Sequence, residues 1–99
     1  MKETTMEKDL TIQGKKMTGV EIALPGAPLV LVHATGGFVM CGYLNIEAAD
    51  KLGTAAALVR GVKTIDDLLK APVQAVSKAA QGKGVQVSMT GEKALLLLG

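Results

Sequence analysis

The residues best equipped for chemistry fall in one stretch. His33, Cys41, Tyr43 and Asn45 lie between Pro28 and Gly53, and Arg60 follows shortly after. A thiol and an imidazole suggest a nucleophile and its base, which requires the two side chains within hydrogen-bond reach. Strand register decides the matter. With Gly36-Gly37 as a two-residue turn, His33 stands opposite Met40 and shares a face with Phe38 and Gly42, so Cys41 points the other way. With Thr35-Gly36-Gly37 as a three-residue loop, His33 stands opposite Val39 and Cys41 becomes its diagonal neighbour, a stretched dyad. Adjacent glycines favour the tight turn, whose primed geometry wants positive φ at both central positions. On that register Cys41 is a small buried hydrophobe. No catalytic residue is assigned; Cys41 is the candidate that a different register would revive, and the chain leans away from being an enzyme.

Three further side chains are candidates for binding a ligand. Arg60 closes the apolar segment Thr54 to Val59, where a guanidinium must find a carboxylate, a carbonyl or an anionic ligand; a structural ion pair is the expectation. Tyr43 and Asn45 flank a strand-to-helix corner, where a polar tip can face a cleft, although a core phenol and a helix cap are the plainer roles. Asp66 and Asp67 diverge by about 100° on a helix, so they read as first-turn acids on its dipole. Nothing supplies three or four ligands at metal spacing. The Thr-Gly-Gly break precedes a strand rather than a helix, and neither G-x-G-x-x-G nor a Walker pattern occurs. No metal and no cofactor is expected.

The elements that position these residues can be read from periodicity. Residues 1–9 are polar and expected to be frayed, with a single domain over 10–99. Leu10 and Ile12, then Thr18, Val20, Ile22 and Leu24, alternate with polar or small residues as half-buried strands do. A two-residue turn at Gly14-Lys15 sets Leu10 and Ile12 beside Met17 and Glu21. A three-residue loop gathers them with Thr18, Val20 and Ile22, and is the expected register. Leu29 to Val32 is apolar at every position, and Phe38 to Leu44 nearly so. Four strands joined by short breaks make an antiparallel meander.

Asn45 caps a helix over Ile46 to Leu52, with Gly53 at its end. Thr54 to Val59 reads as a buried strand, and Thr64 caps Ile65 to Lys70. Pro72 is expected to open another helix, with Val73, Val76 and Ala80 as its inner stripe. Val85, Val87 and Met89 alternate as a short strand. Thr90 caps a final helix whose Ala94 to Leu98 docks into the core or onto a neighbour. The fold class is α+β.

Two segments carry a family resemblance. Gly37-Phe38-Val39-Met40-Cys41-Gly42-Tyr43-Leu44-Asn45, followed by Gly61-Val62-Lys63-Thr64-Ile65-Asp66-Asp67-Leu68-Leu69, resembles the YunC-like family of bacterial and archaeal domains of unknown function. The likeness runs from about Leu10 onward. Gly91-Glu92-Lys93-Ala94-Leu95 is similar to the family's closing segment, with Ser88 where a glycine is expected, and His33 lies outside the pattern. The resemblance implies an α+β domain whose N-terminal β region forms a tetramer. The family has no established activity and so brings no catalytic residue.

Composition points the same way. Apolar residues make up 48% of 99 residues although aromatics make up only 2%. A domain this small buries roughly two thirds of its unfolded surface, too little interior for runs apolar on both faces. Self-association is the expected remedy, with the chain itself as partner. A net charge of +2, from dispersed lysines, offers neither the basic stripe nor the stacking aromatics of a nucleic-acid binder. A single cysteine fits a reducing cytoplasm, and no apolar run approaches the ~20 residues of a membrane helix.

Overall fold

The sheet begins at a turn the spacing did not predict. In a computed structural model describing residues 5–26, 28–43 and 45–99, strands β1 (Thr5–Ile12) and β2 (Lys15–Ile22) meet at Gln13-Gly14. Both turn residues have positive φ, 49° and 81°, the combination whose twist matches a two-residue hairpin. Leu10 therefore pairs with Met17 and Ile12 with Lys15, correcting the three-residue loop. The turn's backbone twist, rather than the gathering of apolar residues, sets the register. Pairing also starts at Thr5, so residues 5–9 are strand and not a frayed end; backbone hydrogen bonds to β2 hold them although Met6 to Asp9 are exposed. Residues 1–4 of that expected segment lie outside the described residues.

Strands β3 (Leu29–Ala34) and β4 (Gly37–Met40) complete the antiparallel meander. Helix α1 (Ile46–Leu52) then carries the chain to β5 (Ala56–Leu58), which pairs with β4 in parallel. Helix α2 (Ile65–Lys70) follows, then the short strand β6 (Ala75–Val76), antiparallel to β5. Helices α3 (Lys78–Gly82) and α4 (Gly91–Leu98) close the described chain. Among the described residues the sheet has six strands in chain order, β1 to β6.

Caps place three helices where the sequence put them. Asn45 Oδ1 accepts from Ala48 N at 3.2 Å, Thr64 Oγ1 from Asp67 N at 3.1 Å and Thr90 Oγ1 from Lys93 N at 3.2 Å. Gly53, at φ 71°, ends α1 in the left-handed conformation. The segment after Pro72 differs from expectation. Pro72 starts no helix; it bridges Thr90, while Gln74 N donates to Leu58 O at 2.7 Å and Val73 N to Met89 O at 2.8 Å. Residues 72–76 are thus extended and bonded on both sides. The helix begins only after Ser77, and the expected strand at Val85 to Met89 is irregular. Proline fixes its own φ equally well for extended backbone, so it could not choose between the two.

One face of the meander holds the core. Val30, Val32 and Val39 are fully buried together with Leu68 of α2 and Leu95 and Leu98 of α4. The apolar end of α4 thus docks within its own chain. Ile65 lies against Gly19 so closely that a Cβ there would meet its Cδ1 at 2.6 Å. Glu21 Oε2 accepts from Ile65 N at 2.8 Å and so fixes the start of α2. On the opposite face, α1 covers β5, where Ala56 and Leu58 are buried in register with Phe38 and Met40.

Candidate functional site

The hairpin that carries His33 and Cys41 turns at Thr35-Gly36, one residue earlier than the expected Gly36-Gly37, and neither turn residue has positive φ. The glycines serve close approach instead. Gly36 N donates to Leu98 O at 2.7 Å, a Cβ on Gly36 would stand 2.6 Å from that oxygen, and one on Gly37 would collide with the carbonyl oxygen of Ala55. His33 consequently pairs with Phe38, not Met40. It is exposed on the outer face, whereas Cys41 is 5% exposed on the inner one and Val30 N donates to its Sγ at 3.4 Å. The two side chains do not form a dyad.

Strands β4 and β5 are parallel, so their C-terminal ends open side by side. Chain leaving β4 supplies Cys41, Gly42 and Tyr43; chain leaving β5 supplies Arg60, Gly61, Val62 and Lys63. With Gly26 and Pro28 from the β2–β3 connection, these line a cavity of about 380 Å³. Cys41 and Val62, both nearly buried, form its floor. Tyr43 is half exposed at the side. Arg60 is exposed, and its Nη1 lies 3.9 Å from where a Cβ on Gly42 would sit. The guanidinium thus reaches across from the end of β5 to the end of β4. It makes no ion pair with any of the described residues, so the structural salt bridge expected for it is not formed.

Three of the four candidates, Cys41, Tyr43 and Arg60, therefore meet at one cavity. Asn45 does not line it, because its side chain is committed to the α1 cap. Lys63 is a lining residue the sequence reading passed over. The signal was present: a strand, a helix and a second strand in succession imply a parallel pair, and binding residues gather outside the C-terminal ends of such strands. Asp67 stands near the rim, but its Oδ2 accepts from Lys63 N at 3.2 Å. A second hollow, of about 560 Å³, lies toward the other end of the meander near Asp9, Lys16, Thr18 and His33. Among the described residues no three His, Cys, Asp or Glu side chains stand together as a metal site would require.

Residues 40–98, which include both strand ends at the cavity, match the family described as a domain of unknown function, DUF1805. The chain belongs to the DUF1805 family. It is 37% identical over 91 residues to the uncharacterized protein YunC of Bacillus subtilis (strain 168), across 88% of this chain and 90% of that one. The crystal structure of a protein of unknown function from Thermoplasma acidophilum superposes with a TM-score of 0.90 at 35% identity, covering 100% of this chain and 99% of the other. The YunC-like resemblance and the α+β fold class are both confirmed. The family match begins at Met40, the last residue of β4, and so takes in α1, β5 and the elements that follow through α4 but not β1, β2 or β3. No helix among the described residues is long and apolar enough to cross a membrane.

Proposed function

We propose that this DUF1805 domain is a non-catalytic assembly module of the cytoplasm, a homotetramer whose subunits meet through the N-terminal sheet. One observation carries the reading. The outer face of the meander presents Val20 beside Leu31, Leu31 beside Met40 and Ile22 beside Leu29, with Phe38 alongside, all only partly buried. The helices that pack on these strands, α2 and α4, occupy the other face. A contiguous apolar patch rimmed by polar side chains is the usual mark of a protein contact, and Asp9, Thr18 and His33 form such a rim. A self-complementary face yields a dimer; four copies need a second contact, for which β1, the edge strand among the described residues, is the candidate. Light scattering after size exclusion should show a tetramer. Leu31→Glu should shift it to smaller species with an unchanged far-UV spectrum, whereas a stable wild-type monomer at micromolar concentration would overturn the reading.

A second reading rests on the cavity at the ends of β4 and β5, which suits a small-molecule site with Cys41, Tyr43 and Arg60 at its walls. Thiol titration separates its catalytic and non-catalytic forms. A reactive Cys41 would be alkylated quickly near neutral pH. At 5% exposure it should instead react at least about a hundredfold faster in denaturant than in the native protein.

A further inference from the structure

The corner cavity is chemically one-sided. Among the described residues its two charged lining side chains, Arg60 and Lys63, are both cations, and the Asp67 carboxylate near the rim is engaged by the Lys63 N–H. Three of its lining residues, Gly26, Gly42 and Gly61, carry no side chain, which leaves their backbone open to whatever enters. The remaining wall is apolar or soft: Pro28, Val62 and the Cys41 sulfur, with the Tyr43 ring at the side.

Arg60 is the telling residue. A guanidinium sheds hydration readily and presents paired donors that match a carboxylate or phosphate. Here its Nη1 stands 3.9 Å from where a Cβ on Gly42 would sit, between two parallel strand ends, and among the described residues no carboxylate pairs with it. The volume, about 380 Å³, is at the lower end of the range for small-molecule sites. Site position, size and charge therefore agree.

We infer that this cavity binds a small organic anion, with the acidic head held by Arg60 and Lys63 and a short apolar body resting on Pro28, Val62 and Cys41. The inference deepens the second reading above and rests on it. Among the described residues no imidazole or carboxylate lines the cavity beside Cys41, and the role inferred is holding, with no bond to the ligand formed or broken.

Hexanoate, inorganic phosphate and hexylamine, titrated into the ¹⁵N-labelled full chain, test the assignment. Hexanoate should shift the amide signals of Gly42, Gly61 and Lys63 in a saturable way, and Arg60→Gln should weaken it about tenfold or more, the loss of one charge-assisted contact. Lys70→Gln, an exposed change on α2 outside the cavity, should leave binding unchanged. Hexylamine binding as well as hexanoate would overturn the anion assignment while leaving a small-molecule cavity in place. Saturation by phosphate without hexanoate would overturn the apolar half. Failure of all three probes, or indifference of hexanoate to Arg60→Gln, would overturn the inference; only the former also removes the cavity reading.

Discussion

Ser88 holds a backbone conformation that side chains resist. Its φ is 80°, one of two positive values among the described non-glycine residues, and its N–H donates to Val73 O at 2.8 Å. That hydrogen bond fixes the chain in the bend that returns to Thr90 and α4. A left-handed residue with a Cβ costs roughly 1–2 kcal/mol, and glycine escapes most of this while losing more entropy on folding. Ser88→Gly should therefore raise stability by about 1 kcal/mol, read as a higher denaturation midpoint with an unchanged slope. The position is where the family resemblance led one to expect a glycine, and the bend supplies the reason. Other glycines were harder to read. Gly36 and Gly37 looked like a turn requirement, but they make room for Leu98 and Ala55, contacts more than 15 residues away that no local pattern contains. Gly91 belongs with them, since a Cβ there would collide with the carbonyl oxygen of Leu68.

At the level of elements, Ser77 joins three pieces of chain. Its Oγ donates to Thr54 O at 2.8 Å, accepts from Ala56 N at 2.9 Å and from Ala80 N at 3.4 Å, and the residue is fully buried. It therefore caps α3 and ties that cap to the start of β5. Ser77→Ala would leave the buried Ala56 N–H and the part-buried Thr54 carbonyl short of a partner, a loss of about 2–3 kcal/mol, measurable by chemical denaturation. Elements announced by their own caps were legible: Asn45, Thr64 and Thr90 each begin a helix as read from the sequence. So were the four strands of the meander, two from alternation and two from continuous apolar runs, although the turns of both hairpins fall elsewhere than the spacing predicts. Residues 72–89 were not, because Gln74 and Ser77 are held by backbone of β5 and not by near neighbours. The corner site was partly legible: Cys41, Tyr43 and Arg60 were singled out, while Lys63 becomes visible only once β4 and β5 are known to run parallel.

For the whole molecule, the inner face of the meander depends on α4. Leu95 and Leu98 are fully buried in the cluster with Val30, Val32 and Val39, and the Gly36 N–H bond to Leu98 O pins the helix end to the β3–β4 turn. Leu95→Ala should cost about 2–5 kcal/mol, the range for a buried leucine that leaves a cavity. How that loss divides between rates follows from the strand order. Every strand pairs with the one before it in the chain, so the hairpins close short loops at little entropic expense. Helix α4 must instead come back to β3 and β4 across more than 50 residues, and such distant contacts form late. Leu95→Ala should thus appear mainly as faster unfolding, with the refolding limb of its chevron nearly unmoved. A simple zipper of neighbouring strands assembles first, and the helix then acts as its latch.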